Sequence, residues 1–226
     1  MKGSFLPSVK PEIWDRFPDY RALSVTARNF SIGVQTHSCK DAPTPAPWIE
    51  EHISAWRRAF RAFGANPGRT PSAIEALWKR FTKTGALPTI SPVVDLYNAL
   101  SIQFGAPFGG EDIDCYIGAP RLDLAVGTEV FDTTRDGTAV FEHPSTNEII
   151  WRDEGGVTCR NWNWRQCRRT AISLCSSNLW FVIERLLPMP EEELERAGQA
   201  LATALRELSP QTEISISVLN PIGEVA

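Results

Sequence analysis

Histidine is scarce in this sequence: His37, His52 and His143 are the only three in 226 residues. A chain so poor in imidazole has few candidates for a general base or a metal ligand. There is no GxSxG elbow, P-loop, GxGxxG run or HExxH pair, which removes the signatures of most serine hydrolases, nucleotide-binding folds and zinc peptidases. No apolar run approaches the about 18 residues that a membrane span requires. The opening MKGSFLPSVKPE also lacks the hydrophobic core of a signal peptide. The expectation is a cytoplasmic protein with no membrane partner.

Cysteine is sparse and its spacing forms no known framework. Cys39, Cys115, Cys159, Cys167 and Cys175 make an odd set without a CxxC pair, so reduced thiols are expected, with no metal and no cofactor. His37 and Cys39, two apart in QTHSC, are either a reactive pair or ordinary loop residues. An excess of positive charge is missing too. A net charge of −4 and a pI near 5.5 exclude the global basic field of a tight, non-specific nucleic-acid binder. Any RNA contact must then be local, with a shallow dependence on salt. Its candidates are Arg57, Arg58 and Arg61 in WRRAFRAF, Lys79, Arg80 and Lys83 in WKRFTK, and Arg160, Arg165, Arg168 and Arg169 further on. Each group reads either as a solvated face or as a phosphate contact.

What is present is a globular composition, 42% hydrophobic and 22% charged, which suits one domain over residues 1–226, expected as a monomer. The segment DYRALSVTARNF reads as an early strand. In WIEEHISAWRRAFRAF apolar residues recur at helical steps, with Gly64 just beyond. Thr70 and Pro71 open a second helix, with Ser72 and Glu75 as an alternative capping box and Gly85 at its close. Ser91 and Pro92 repeat the signal for VVDLYNALSIQF, which ends at Gly105. FGGEDID reads as an acidic loop. From Arg121 the period switches to two through RLDLAV, TAVFE, NEIIWR, GVTCRNWNWR and LWFVIER, and a helix PEEELERAGQALATALREL precedes a last strand EISISVL. Helices, then strands, then helix and strand describe an α+β domain.

Polar side chains stand among these apolar segments. Asp95 and Asn98 stand three residues apart on one face of a helix that is apolar round most of its circumference, with Ser101 a further turn along. Asp112 lies in the acidic loop and Glu129 in VGTEVF. The stretch CRNWNWRQCRRT packs two tryptophans, two asparagines and four arginines into twelve residues. As a continuous strand it places Asn161, Asn163 and Arg165 on one face and Arg160, Trp162, Trp164 and Gln166 on the other. Buried polar heads must be paired, so such a density means mutual hydrogen bonding or a ligand pocket.

Several ordered motifs resemble one family over about residues 66 to 186: NPGRTPSAIEALWKR, GALPTISPVVDLYNALSIQFGAPFGGEDID, RLDLAVGTEVF, EHPSTNEIIWRD and CRNWNWRQCRRT. The chain resembles freestanding relatives of the B3/B4 domain, the editing domain of the phenylalanyl-tRNA synthetase β subunit. The resemblance implies helices packed on a β-sandwich or mixed sheet, and hydrolysis of the ester of a mischarged tRNA. Asn98 matches a pocket-lining asparagine of that family, whereas a family histidine falls at Gly109. On this reading Asn98, Asp95, Asn163 and Arg165 act on the ester. Ser101, Asp112, Glu129, Trp162, Trp164 and Gln166 contact the substrate, and Arg160, Arg168 and Arg169 the RNA. A binding module without chemistry and a small-molecule esterase or amidase are the other readings.

Overall fold

The computed structural model describes residues 5–31 and 42–219. His37 and Cys39 lie outside the described residues. Two sheets and five α-helices make up the α+β architecture. A short strand β1 (Ser8–Val9) and helix α1 (Pro11–Arg16) lead into β2 (Arg21–Arg28), the strand expected from DYRALSVTARNF. Helix α2 (Ile49–Ala62) buries Ile49, Ile53, Trp56 and Phe60 at three- and four-residue steps.

Local caps fix the next two helices. Helix α3 (Ala73–Thr84) starts at Ser72, whose hydroxyl accepts from the Glu75 amide, and stops at Gly85 with φ +70°. Thr70 is therefore not the cap: its hydroxyl donates to the Asn66 carbonyl one turn earlier. Helix α4 (Pro92–Phe104) starts at Ser91 with Pro92 in its first turn and stops at Gly105, φ +62°.

FGGEDID is not a loop. Its first five residues form β3 (Phe108–Asp112), an edge strand paired antiparallel with β10 (Leu179–Arg185). The glycines permit this pairing, because a Cβ at Gly110 would stand 2.9 Å from both Phe181 and Tyr97. The strands β4 (Arg121–Leu124), β5 (Phe131–Arg135), β6 (Thr138–Glu142), β7 (Ile149–Asp153), β8 (Gly156–Arg160) and β9 (Arg165–Gln166) follow, then α5 (Glu191–Leu208) and β11 (Glu213–Val218). One sheet runs β1-β4-β7-β8-β5-β6, with β9 on β8; the other runs β11-β2-β10-β3.

Strand alternation divides the core. On β10, Leu179, Phe181 and Ile183 face α4 and α5, where they join Leu23, Val25, Leu201 and Leu205. Trp180 and Val182 face the other sheet and pack with Trp151, Cys159 and Trp162. Glu184 continues that second face, and Glu111, directly opposite Trp180 in register, shares it. Two acidic side chains are thus turned into the space between the sheets.

His52 ties α2 to this frame. Its ring is buried; Nδ1–H donates to the Gly105 carbonyl at 2.7 Å, and Nε2 accepts from Trp56 Nε1 and the Leu186 amide, each at 3.0 Å. Burial pushes the imidazole pKa down from 6.5 to about 4, outweighing the Gly105 carbonyl. The unfolded chain therefore takes a proton at a higher pH than the native state. The stability that neutral His52 contributes is whole above about pH 6.5 and is lost as pH falls through about 4, by roughly 3 kcal/mol. Thermal melts from pH 7 to 4 should show a steeper acid loss in the native sequence than in His52→Gln.

Candidate active site

The stretch from Cys159 to Thr170 does not run as one strand. After β8 the chain turns through Asn161 and Trp162, whose φ angles are +44° and +67°, and re-enters the sheet as β9. Two successive left-handed residues break the alternation that a continuous strand would impose. The turn is held by the Trp162 amide on the Ile149 carbonyl and the Trp164 amide on the Arg160 carbonyl. Glu148 accepts from the Asn161 amide at 3.0 Å. The result sends Trp162 into the core and brings Asn163 beside Glu184, while Trp164 is half-buried and Arg165 exposed.

Glu184 gathers four donors. Tyr20 hydroxyl, Trp162 Nε1 and Trp151 Nε1 reach its Oε1 at 2.7, 3.0 and 3.3 Å, and Asn163 Nδ2 reaches Oε2 at 2.9 Å. Burial raises its pKa against all four. Glu111 has weaker support: burial lifts its carboxyl from 4.5 to about 8, and the nearby Thr158 hydroxyl, itself without a hydrogen bond among the described residues, opposes this only in part. At neutral pH Glu111 is therefore mostly a protonated acid. Its Oε2 and the Asn163 Oδ1 are buried with no hydrogen-bond partner among the described residues.

Both carboxyls face a cavity of about 170 Å³, a volume on the scale of one amino-acid side chain. Trp151, Trp162 and Trp180 supply apolar walls, and Asn98, Asn163 and Gln166 supply amides. Gln166 Nε2 donates to the Gly110 carbonyl at 3.1 Å. A Cβ at Gly109 would meet Val182 at 3.2 Å and this same amide at 3.5 Å, so a larger residue there would occupy the cavity. The helices contribute Ala73 and Leu77 from α3 and Tyr97 and Asn98 from α4. Among the described residues no lysine lines the space, and the one arginine that does, Arg165, is exposed at the rim, tied to the Thr134 carbonyl at 2.8 Å.

A family model for the B3/4 domain matches residues 55–208. The chain belongs to the B3/4 domain family. The matched span holds every cavity-lining residue from Ala73 to Glu184, whereas Tyr20, which donates to Glu184, precedes it. Among solved structures the chain is similar to an N-terminal fragment of the phenylalanyl-tRNA synthetase β subunit from Pyrococcus horikoshii. They share 11% identity at a TM-score of 0.49, over 94% of this chain and 51% of that one, so this chain spans about half its length. Comparison with curated proteins finds no match.

In this B3/4 domain Asn98, Asn163, Arg165, Trp162, Trp164 and Gln166 meet at the cavity. Other residues expected there serve the scaffold. Asp95 accepts from the Ile90 amide at 2.7 Å and braces the turn before α4. Ser101 is fully buried, and of the three only Asn98 lines the cavity. Asp112 caps a short turn and accepts from Ser176. Glu129 accepts from the Val126 and Gly127 amides and from Arg152, which together hold its carboxyl below its ordinary pKa despite burial.

The arginines expected on RNA are ion-paired. Arg160 grips Glu148 at 2.9 and 2.7 Å and also reaches Glu142; Arg169 grips Asp153 at 2.8 and 2.7 Å; Arg168 meets Asp132 at 3.2 Å. Glu184, Glu111 and Tyr97 line the cavity and are not among the site residues expected from the sequence. A signal existed: in LWFVIER a glutamate falls on the period-two face of Trp180 and Val182, inside an otherwise apolar strand.

Proposed function

We propose that this B3/4 domain hydrolyses aminoacyl esters carried on tRNA. The observation that supports this reading most is the pair of buried carboxyls, Glu111 and Glu184, on a small cavity with no internal cation among the described residues. Such a site suits a compact positive group that gives Glu184 a further donor and displaces the proton of Glu111, which is mostly neutral while the cavity is empty. The α-ammonium of an aminoacyl ester offers three N–H donors, and unpartnered acceptors stand ready at Glu111 Oε2 and Asn163 Oδ1.

The hydrolysis needs no protein nucleophile, because the ester is already activated. Water attacks the ester carbonyl, the bond from carbon to the ribose oxygen breaks, and the freed ribose hydroxyl takes a proton. The products are the amino acid and uncharged tRNA. Asn98, on the rigid α4, orients the carbonyl or the water. Preorganised donors of this kind typically supply about 10²- to 10³-fold in rate. The tryptophan walls exclude bulk water and sharpen these polar contacts.

Purified protein should release amino acid from at least one member of a panel of mischarged tRNAs, and more slowly from free amino-acid methyl esters. Inertness toward every tRNA ester would defeat the proposal. Equal rates on both substrate types would favour a small-molecule esterase.

A further inference from the structure

The chain is acidic overall, yet residues 55–84 contain seven lysines and arginines and a single acid, Glu75, a net +6 within a total of −4. The remainder of the chain therefore carries −10. This segment comprises the second half of α2, the intervening turn and α3.

Two of its cations, one from each helix, meet at a single acid. Arg57 on α2 and Lys79 on α3 both bind Glu75 Oε1, at 2.5 and 2.6 Å, so one buried carboxylate joins the positive rows of the two helices. Arg58 and Arg61 lie three residues apart on α2, and Arg80 and Lys83 three apart on α3. These four and Arg69 are exposed, and none of them has an ion pair among the described residues. The arginines of the 160–169 stretch, by contrast, are held by Glu148, Asp132 and Asp153.

We infer that the α2–α3 face is the surface on which an RNA phosphate backbone docks. This rests on the hydrolytic reading above, because position is what ties the face to the cavity. Ala73 and Leu77 of α3 line the cavity, and Arg80 lies one turn beyond Leu77 on the same side of that helix. A backbone lying along α3 would bring its terminal nucleotide to the cavity mouth. An anionic membrane fits less well. Ile53, Trp56 and Phe60 of α2 and Ile74 of α3 are buried in the core, and Leu77, Trp78 and Phe81 of α3 pack half-buried against it, which leaves little apolar surface to insert.

The test is binding of uncharged tRNA to the full chain across a range of salt, for the native sequence and for Arg58→Glu/Arg61→Glu/Arg80→Glu/Lys83→Glu. Four lost phosphate contacts should lower the slope of log affinity against log salt by about 3 and weaken binding at about 0.1 M salt by at least about 30-fold. Arg168→Glu should change affinity by less than about threefold. Hydrolysis of a free amino-acid methyl ester should be unchanged in the fourfold variant. If that variant fails to fold, the pairs Arg58→Glu/Arg61→Glu and Arg80→Glu/Lys83→Glu should each remove about half of the slope.

Native tRNA affinity in the fourfold variant would overturn the docking surface while leaving the hydrolytic reading standing. Loss of tRNA binding in a protein whose native form cleaves no ester would do the reverse. Binding of the native sequence to phosphatidylglycerol vesicles and not to tRNA would also overturn it.

Discussion

Replacing Trp162 by alanine should destabilise the protein by about 3–5 kcal/mol, the cost of deleting a large core aromatic. For a chain of this size that corresponds to a melting temperature lower by roughly 10–15 °C. The side chain is fully buried and stands edge-on to Phe17, Tyr20 and Trp56, with ring centroids 4.9, 5.0 and 5.2 Å away. It also donates to Glu184, and a buried carboxylate that loses a donor adds to the penalty. Trp162→Phe separates these effects. It keeps an aromatic ring in place but removes the N–H, so the loss should shrink to about 1–2 kcal/mol. Trp164→Ala, at a half-buried position, should cost less than Trp162→Ala. Equal losses at both tryptophans would mean that the turn through Asn161 and Trp162 does not aim the two side chains differently.

Glu111→Gln should raise stability, increasingly so as the solution becomes more basic. The folded protein holds the Glu111 proton up to about pH 8, whereas an ordinary glutamate releases it near 4.5. Between those values unfolding releases a proton, so rising pH favours the unfolded chain. The stability tied to this carboxyl is whole below about pH 4.5 and is lost as pH climbs through about 8, by about 5 kcal/mol in all. Glutamine keeps the shape without the proton. Melting temperatures of the two proteins should therefore coincide near pH 4.5 and diverge up to about pH 8. Curves that stay parallel would show that Glu111 ionises normally. His52 acts in the opposite sense between about pH 4 and 6.5, so the native sequence alone has a flattened profile there, and the variants reveal both slopes.

Much of the helical scaffold was legible because its signals are local. Ser72, Ser91, Gly85 and Gly105 act within a turn of their own helix, and the spacing of Ile49, Ile53, Trp56 and Phe60 needs no knowledge of the partner sheet. The turn at residues 160–165 was not legible, because nothing local asks Trp162 to take positive φ, although asparagine enters that region readily. The burial of Trp162 among rings from α1, α2 and β2's approach imposes it. FGGED looked like a loop because two glycines usually mark one; here close packing against Phe181 and Tyr97 excludes a side chain. Asn98 and the WNWRQ segment were recognisable as polar groups in apolar surroundings. Glu111 and Glu184 became a pair only through the register of β3 on β10.

The most direct test of the hydrolytic site is single-turnover deacylation of a mischarged tRNA that the native protein cleaves, run beside Asn98→Ala. Asn98 lies on the cavity wall, mid-helix, so truncation should leave the melting temperature within about 2 °C. The cleavage rate should fall about 10²-fold, the scale of one lost preorganised donor. A variant that folds normally and cleaves at the native rate would contradict the assignment of this cavity as the place where the ester is broken.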